Sequence, residues 1–106
     1  MEVYMKSSKK NYDAVGEFDP EKKSLVVKKG SVVSGTISES KTFRGAKTVL
    51  KLWEESVKNN KVIKDMPFKS ASTAANYVTG QSTNGMRTWK NEAGIAVGDL
   101  LKGEKD

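Results

Sequence analysis

From Asn11 to Phe18 the even positions Tyr12, Ala14, Gly16 and Phe18 are apolar or small, while Asp13, Glu17 and Asp19 on odd positions are acidic. Alternation with period two is what a strand with one face on a core requires. The acids are then a solvated strand face, with a calcium or magnesium site as the alternative reading. Asp19-Pro20 follows as a turn, because Asp starts turns well and Pro presets φ at the next position. Ser24-Leu25-Val26-Val27-Lys28 reads as the returning strand of a hairpin, ended by Lys29-Gly30-Ser31. Val3-Tyr4-Met5 adds an edge strand, and Val32-Val33 and Thr36-Ile37 are short extended candidates around Gly35. The first 40 residues are expected to form a small antiparallel sheet.

The period changes at Thr42. Phe43, Ala46, Leu50, Trp53 and Val57 recur at spacings of three and four, which predicts an amphipathic helix over 42–58, stopped by Asn59-Asn60. At about 100° per residue, Arg44, Lys47, Lys51 and Lys58 fall within roughly 60° of one another, a basic stripe beside the apolar face. Glu54 and Glu55 flank the stripe; being adjacent, they do not face each other and form no paired-carboxylate dyad.

Further on, Ser70 is placed to cap a helix whose small face is Ala71, Ala74, Ala75 and Val78, with Gly80 as the residue after its end. Gln81 to Lys90 then reads as a polar loop, an Asn84-Gly85 turn and a short extended piece carrying Trp89, and 98–102 closes with one helical turn. Phe43, Trp53, Tyr77 and Trp89 are expected in the core, where a small domain needs their area. The fold class expected is α+β: one domain over 1–106, its N-terminal sheet packed against one long amphipathic helix and a shorter Ala-rich helix.

Composition narrows the chemistry. A chain of 106 residues fits one hydrophobic core. There is no Cys and no His, so thiolate sites, disulfides and the commonest general base and zinc ligand are absent. Apolar runs are short and the Met1 end shows no signal-peptide pattern, so a cytoplasmic protein without membrane contact is expected. Nineteen Lys and Arg against 13 Asp and Glu give a net charge of +6, unevenly placed: residues 41–64 carry seven basic and two acidic side chains, the flanking segments nearly balanced sets. One basic element of this kind suits a polyanion-binding face.

The run Phe68, Ser70, Ser72, Ala74, Ala75, Val78, Gly80, Ser82, Asn84, Gly85, Trp89, Lys90, Gly94 and Leu100 resembles the C-terminal half of a bacterial and archaeal domain family of unknown function. That family is found behind GIY-YIG nuclease domains and resembles the RAMA (restriction enzyme adenine methylase associated) domain. Ala14, Gly16, Phe18, Val26, Val27, Lys28, Gly30 and Ser31 match the family's sheet and Gly-Ser turn, so the resemblance spans about 12–102. Ala71 stands where proline is common, an acceptable exchange at a first helical position, and Met86 where an aromatic or larger polar residue is common. The resemblance implies a DNA-binding role, extending to the sensing of modified DNA, alongside a nuclease or methyltransferase, with no activity and no cofactor of its own.

The residues expected to meet DNA are Arg44, Lys47, Lys51, Lys58, Lys69, Ser70, Ser72, Thr73, Asn84, Arg87 and Lys90. The cations meet phosphates, the Ser70, Ser72 and Thr73 hydroxyls and N–H groups start a helix and hold a phosphate, and the Asn84 amide is a turn residue or an adenine reader. The competing class is a protein-interaction module using the exposed sheet or the small-residue helix. A metal-dependent nuclease is the third, disfavoured because the acids lie along one strand or adjacent on a helix.

Overall fold

The computed structural model describes residues 1–39 and 43–103. In chain order its elements are β1 (Glu2–Ser7), β2 (Tyr12–Asp19), β3 (Ser24–Val27), α1 (Ala46–Ser56), β4 (Val57–Lys58), β5 (Lys61–Val62), β6 (Met66–Phe68), α2 (Ala71–Thr79), α3 (Gly85–Thr88) and α4 (Val97–Gly103). The class is α+β, as expected. The main sheet runs β1-β2-β3-β6, all antiparallel.

The period-two reading holds where it was strongest: Ala14, Gly16 and Phe18 are buried while Asp13 and Glu17 are exposed. Asp19 builds the turn, its carboxylate accepting from the Glu21 and Lys22 N–H groups at 3.0 and 3.2 Å. The fourth strand, β6, lies beyond the expected sheet. It has three residues with Pro67 in the middle, and a residue without an N–H fits only an edge, which is where β6 lies. Val32-Val33 and Thr36-Ile37 are not strands. Val32 makes single bridges to Asp13 and Lys61, and the chain from Ser34 to Ser38 straps the end of α2 through Ser34 N to Val78 O (2.9 Å) and Ser38 N to Gly80 O (2.7 Å).

The start of the helix expected at Thr42 lies outside the described residues. Phe43 is buried but precedes the helix, which begins only at Ala46 and ends at Ser56, two residues before its expected end. Ser56 is fully buried, its hydroxyl bonded to Leu52 O and to the Tyr77 hydroxyl. Val57 then turns extended, and Asn59 and Asn60 both adopt positive φ, 52° and 64°, the geometry of a tight hairpin turn. The Asn pair does stop the helix, but it does so by making the β4–β5 hairpin. Val49 (4 % exposed) takes the core position expected of Leu50, which is 46 % exposed. Around the helix Val49 sits roughly 40° from Trp53 on the side of Ser56, whereas Leu50 falls about 60° away on the other side.

The Ala-rich helix α2 lies on the sheet against β2, β3 and β6. Ala71, Ala74, Ala75 and Val78 are all buried, so that face is occupied by the chain's own core and is not a free docking surface. α1 joins α2 at its C-terminal half, where the Trp53 indole donates to Tyr77 O at 2.8 Å. Ser70 caps α2 by accepting from Thr73 N at 3.1 Å, and Gly80 ends it in the left-handed conformation, both as expected. Tyr77 and Trp89 have no exposed surface. At about 25 cal/mol per Å² and about 150–250 Å² each, their burial contributes on the order of 4–6 kcal/mol apiece.

Candidate nucleic-acid interface

The residues expected to meet DNA fall into two groups, one where α2 meets α3 and one on and around α1. At the N-terminal end of α2 the first turns of α2 and α3 pack together. Ser72 Oγ accepts from Gly85 N (3.0 Å), and the Trp89 indole donates to Ala71 O (3.1 Å). Asn84 Oδ1 caps α3 by accepting from Met86 N at 3.1 Å. This brings Ser70, Ser72, Thr73, Asn84 and Arg87 into one neighbourhood, with exposed Lys69 just before the cap. Asn84-Gly85 is therefore the start of a helical turn and not a hairpin turn. Ser70 Oγ and Thr73 Oγ1 bond each other at 2.8 Å, so their hydroxyls serve the cap, as Ser72 serves the α2–α3 joint.

Arg87 is the exposed cation of α3. It stands between two open clefts of about 500 and 480 Å³, one shared with Tyr4, Lys6, Tyr12 and Lys90, the other with Asn84, Asp99 and Lys102. Lys90 pairs with Tyr4 through two backbone hydrogen bonds (2.7 and 2.9 Å), lying as a one-residue strand outside β1. The Tyr4 hydroxyl donates to the Glu2 carboxylate, which, with Glu92, pushes its pKa up to about 12. That phenol holds its proton at neutral pH.

The second group does not survive as one helical stripe. Lys58 belongs to β4, and Arg44 lies in the turn before α1. Helical continuity, on which the 60° estimate rested, fails at both ends. On α1 itself Lys47 and Lys51 are exposed beside exposed Glu54 and Glu55, so the charges of that face cancel. Trp53 and Ser56 dock on Tyr77, near the far end of α2, and nine helical residues span roughly 13 Å.

Sequence reasoning counted Lys61 and Lys64 only as part of the basic 41–64 segment and left Lys28 and Lys29 outside it. The hairpin turns Lys58 opposite Lys61, and the 28–31 turn docks on β5 through Gly30 N to Val62 O (2.8 Å) and Val62 N to Ser31 O (2.8 Å). Asp65 clamps the same joint, accepting from Lys29 N at 2.8 Å and pairing with the Lys28 ammonium at 3.5 Å. The Lys29 N–H and the charge of Lys28 hold its carboxyl below the usual range. A hairpin signal was present, in Asn59-Asn60 between Val57-Lys58 and Lys61-Val62.

Among the described residues no group of three or more acidic side chains is placed to hold a metal ion, and no helix is long and apolar enough to cross a membrane. Asp13 pairs loosely with Lys6 (3.9 Å) and Glu17 with the N-terminal ammonium (2.8 Å). The molecule is an α+β domain with helices on one face of an antiparallel sheet and cations distributed over exposed turns and helix ends. The chain belongs to the family described as domain of unknown function DUF4357, whose model matches residues 3–101 and so takes in β1 as well. No curated protein and no solved structure matches it.

Proposed function

We propose that this domain binds DNA as a non-catalytic accessory module. The observation that carries the reading is that Arg44, Lys47, Lys51, Lys58, Lys69, Arg87 and Lys90 are all exposed and none is in an ion pair among the described residues. Cations left without protein partners are available to displace counterions from a phosphate backbone. The absence of His and Cys from the sequence supports binding without hydrolysis. The resemblance to RAMA-like domains and to domains behind GIY-YIG nucleases extends the proposal to modified DNA, with a nuclease or methyltransferase as partner.

Within this reading Arg87 is the base-reading candidate, and Asn84 positions it, because the Asn84 carbonyl is committed to the α3 cap. The test is fluorescence anisotropy with adenine-methylated and unmethylated duplexes from about 50 to about 200 mM NaCl. Affinity should fall steeply with salt, and Arg87→Ala should change discrimination between duplexes more than Lys47→Ala or Lys51→Ala. No binding at low salt, or an affinity indifferent to salt, would shift the assignment to a protein-interaction module.

A further inference from the structure

A concentration of one charge lies where the β4–β5 hairpin meets the 28–32 turn. Segments 28–32 and 57–65 contribute Lys28, Lys29, Lys58, Lys61 and Lys64, all exposed, against a single acid, Asp65. Asp65 is engaged with Lys28 and the Lys29 N–H, and no other ion pair touches the cluster among the described residues.

The register fixes how these lysines are presented. Lys58 pairs with Lys61, Lys61 bridges Val32, Val32 bridges Asp13, and Asp13 pairs with Lys6. Directly opposite residues of neighbouring strands point to the same side of a sheet, so these five side chains form one transverse row. At about 4.8 Å per strand the row is roughly 19 Å long, and its hairpin end carries two adjacent ammonium groups.

Like charges directly opposite each other destabilise a strand pair. Nothing in the packing requires that cost here: both lysines are exposed, and neither has a protein partner among the described residues. A pair that opposes folding and remains open to solvent is suited to a ligand that neutralises both charges at once.

We infer that the Asn59–Asn60 hairpin with its flanking lysines is the main nucleic-acid contact of the chain, taking consecutive phosphodiesters of a DNA backbone along the Lys58–Lys61 end of the row. This rests on the DNA-binding reading above and moves its centre from α1 to the hairpin. The cluster holds no aromatic or Arg anchor of the kind that dominates protein interfaces; Ile63 is the one large apolar side chain exposed beside it. Point charges without such an anchor suit phosphates, whose recognition is electrostatic and indifferent to sequence.

The test uses a short fluorescein-labelled duplex and compares wild type, the double variant Lys58→Gln/Lys61→Gln and the double variant Lys47→Gln/Lys51→Gln over a salt series. The hairpin variant should bind at least about tenfold more weakly at low salt, lower the salt slope by about two units, and melt at the same or a higher temperature than wild type. The α1 variant should lose less. A second hairpin-side double variant, Lys29→Gln/Lys64→Gln, leaves the Lys29 backbone bond to Asp65 in place and should weaken binding in the same direction. Wild type that binds DNA while both hairpin-side variants bind equally well overturns this inference and leaves the DNA reading standing. Wild type that binds no duplex overturns both. Preference for poly-glutamate over DNA, lost in Lys58→Gln/Lys61→Gln, overturns the assignment in favour of an acidic protein partner.

Discussion

Gly85 is a residue whose identity is set by space and not by backbone conformation. A Cβ at this position would lie 2.1 Å from Ala71 O, 2.2 Å from Ala71 C and 2.5 Å from Ser72 N, all backbone atoms in the first turn of α2. Backbone cannot swing aside as a flexible side-chain tip does, and Ala71 O is further held by the Trp89 indole. Gly85→Ala is therefore expected to cost at least about 1–3 kcal/mol, the usual range for overpacking, and to lower the melting temperature by several degrees. Gly94→Ala, with φ +80° but nothing within 4 Å of the added Cβ, should cost only the strain of the left-handed conformation, about 1 kcal/mol. Thermal unfolding followed by circular dichroism compares the two; Gly85→Ala melting with or above Gly94→Ala would refute the packing argument. The sequence marks Asn84-Gly85 as a turn, because that dipeptide is a local signal. It holds no sign that Gly85 abuts Ala71, because contact between segments that far apart in the chain leaves no trace in spacing.

At the scale of elements, the joint between α1 and α2 is one buried polar cluster. Tyr77 O accepts from the Trp53 indole and its hydroxyl bonds Ser56 at 2.6 Å. Burial raises the Tyr77 phenol above its ordinary pKa, only partly offset by the bond to Ser56. The unfolded chain therefore releases this proton first. The stability that the neutral phenol contributes is complete below about pH 10 and is lost as pH rises through the higher folded value. Tyr77→Phe removes one hydrogen bond but leaves Ser56 with Leu52 O, so its cost near neutrality should be about 0.5–1.5 kcal/mol. Urea midpoints taken from about pH 9 to about pH 11 should fall faster for wild type than for Tyr77→Phe; parallel curves would show that folding does not raise the Tyr77 phenol above its unfolded value. The same joint explains why α1 was misread. Periodicity placed Trp53 on the core side correctly, but Ser56 is polar by composition and buried only because Tyr77 meets it. The helix end was hidden by a partner 21 residues away. The α2 cap and its terminal glycine were legible because both ends are signalled by residues within the helix's own reach.

Over the whole molecule the governing quantity is the net charge of +6 with few compensating contacts. The three ion pairs among the described residues are Met1–Glu17, Lys6–Asp13 and Lys28–Asp65, each with a well-exposed acidic partner. Exposed pairs of this kind contribute little to stability and weaken with salt. Against them stand the Lys58–Lys61 pairing and the surrounding lysines, whose mutual repulsion also weakens with salt. The excess of one sign decides the balance. Raising NaCl from about 10 mM to about 0.3 M shortens the screening length from roughly 30 Å to below 10 Å, so repulsion across the lysine cluster is reduced more than the few short attractive pairs. The free protein should melt a few degrees higher at the upper salt concentration, while its affinity for DNA falls over the same range. Chloride is the appropriate anion, because sulfate and phosphate stabilise folded proteins by exclusion from their surfaces and would confound the comparison. Melting curves in the two buffers, with Lys58→Gln/Lys61→Gln alongside, make the source explicit: the variant should start higher and gain less from salt. A wild-type melting temperature that falls with NaCl would mean that attraction outweighs repulsion in the folded state, and that the lysines are matched by acids in a way their exposed, unpaired positions do not show.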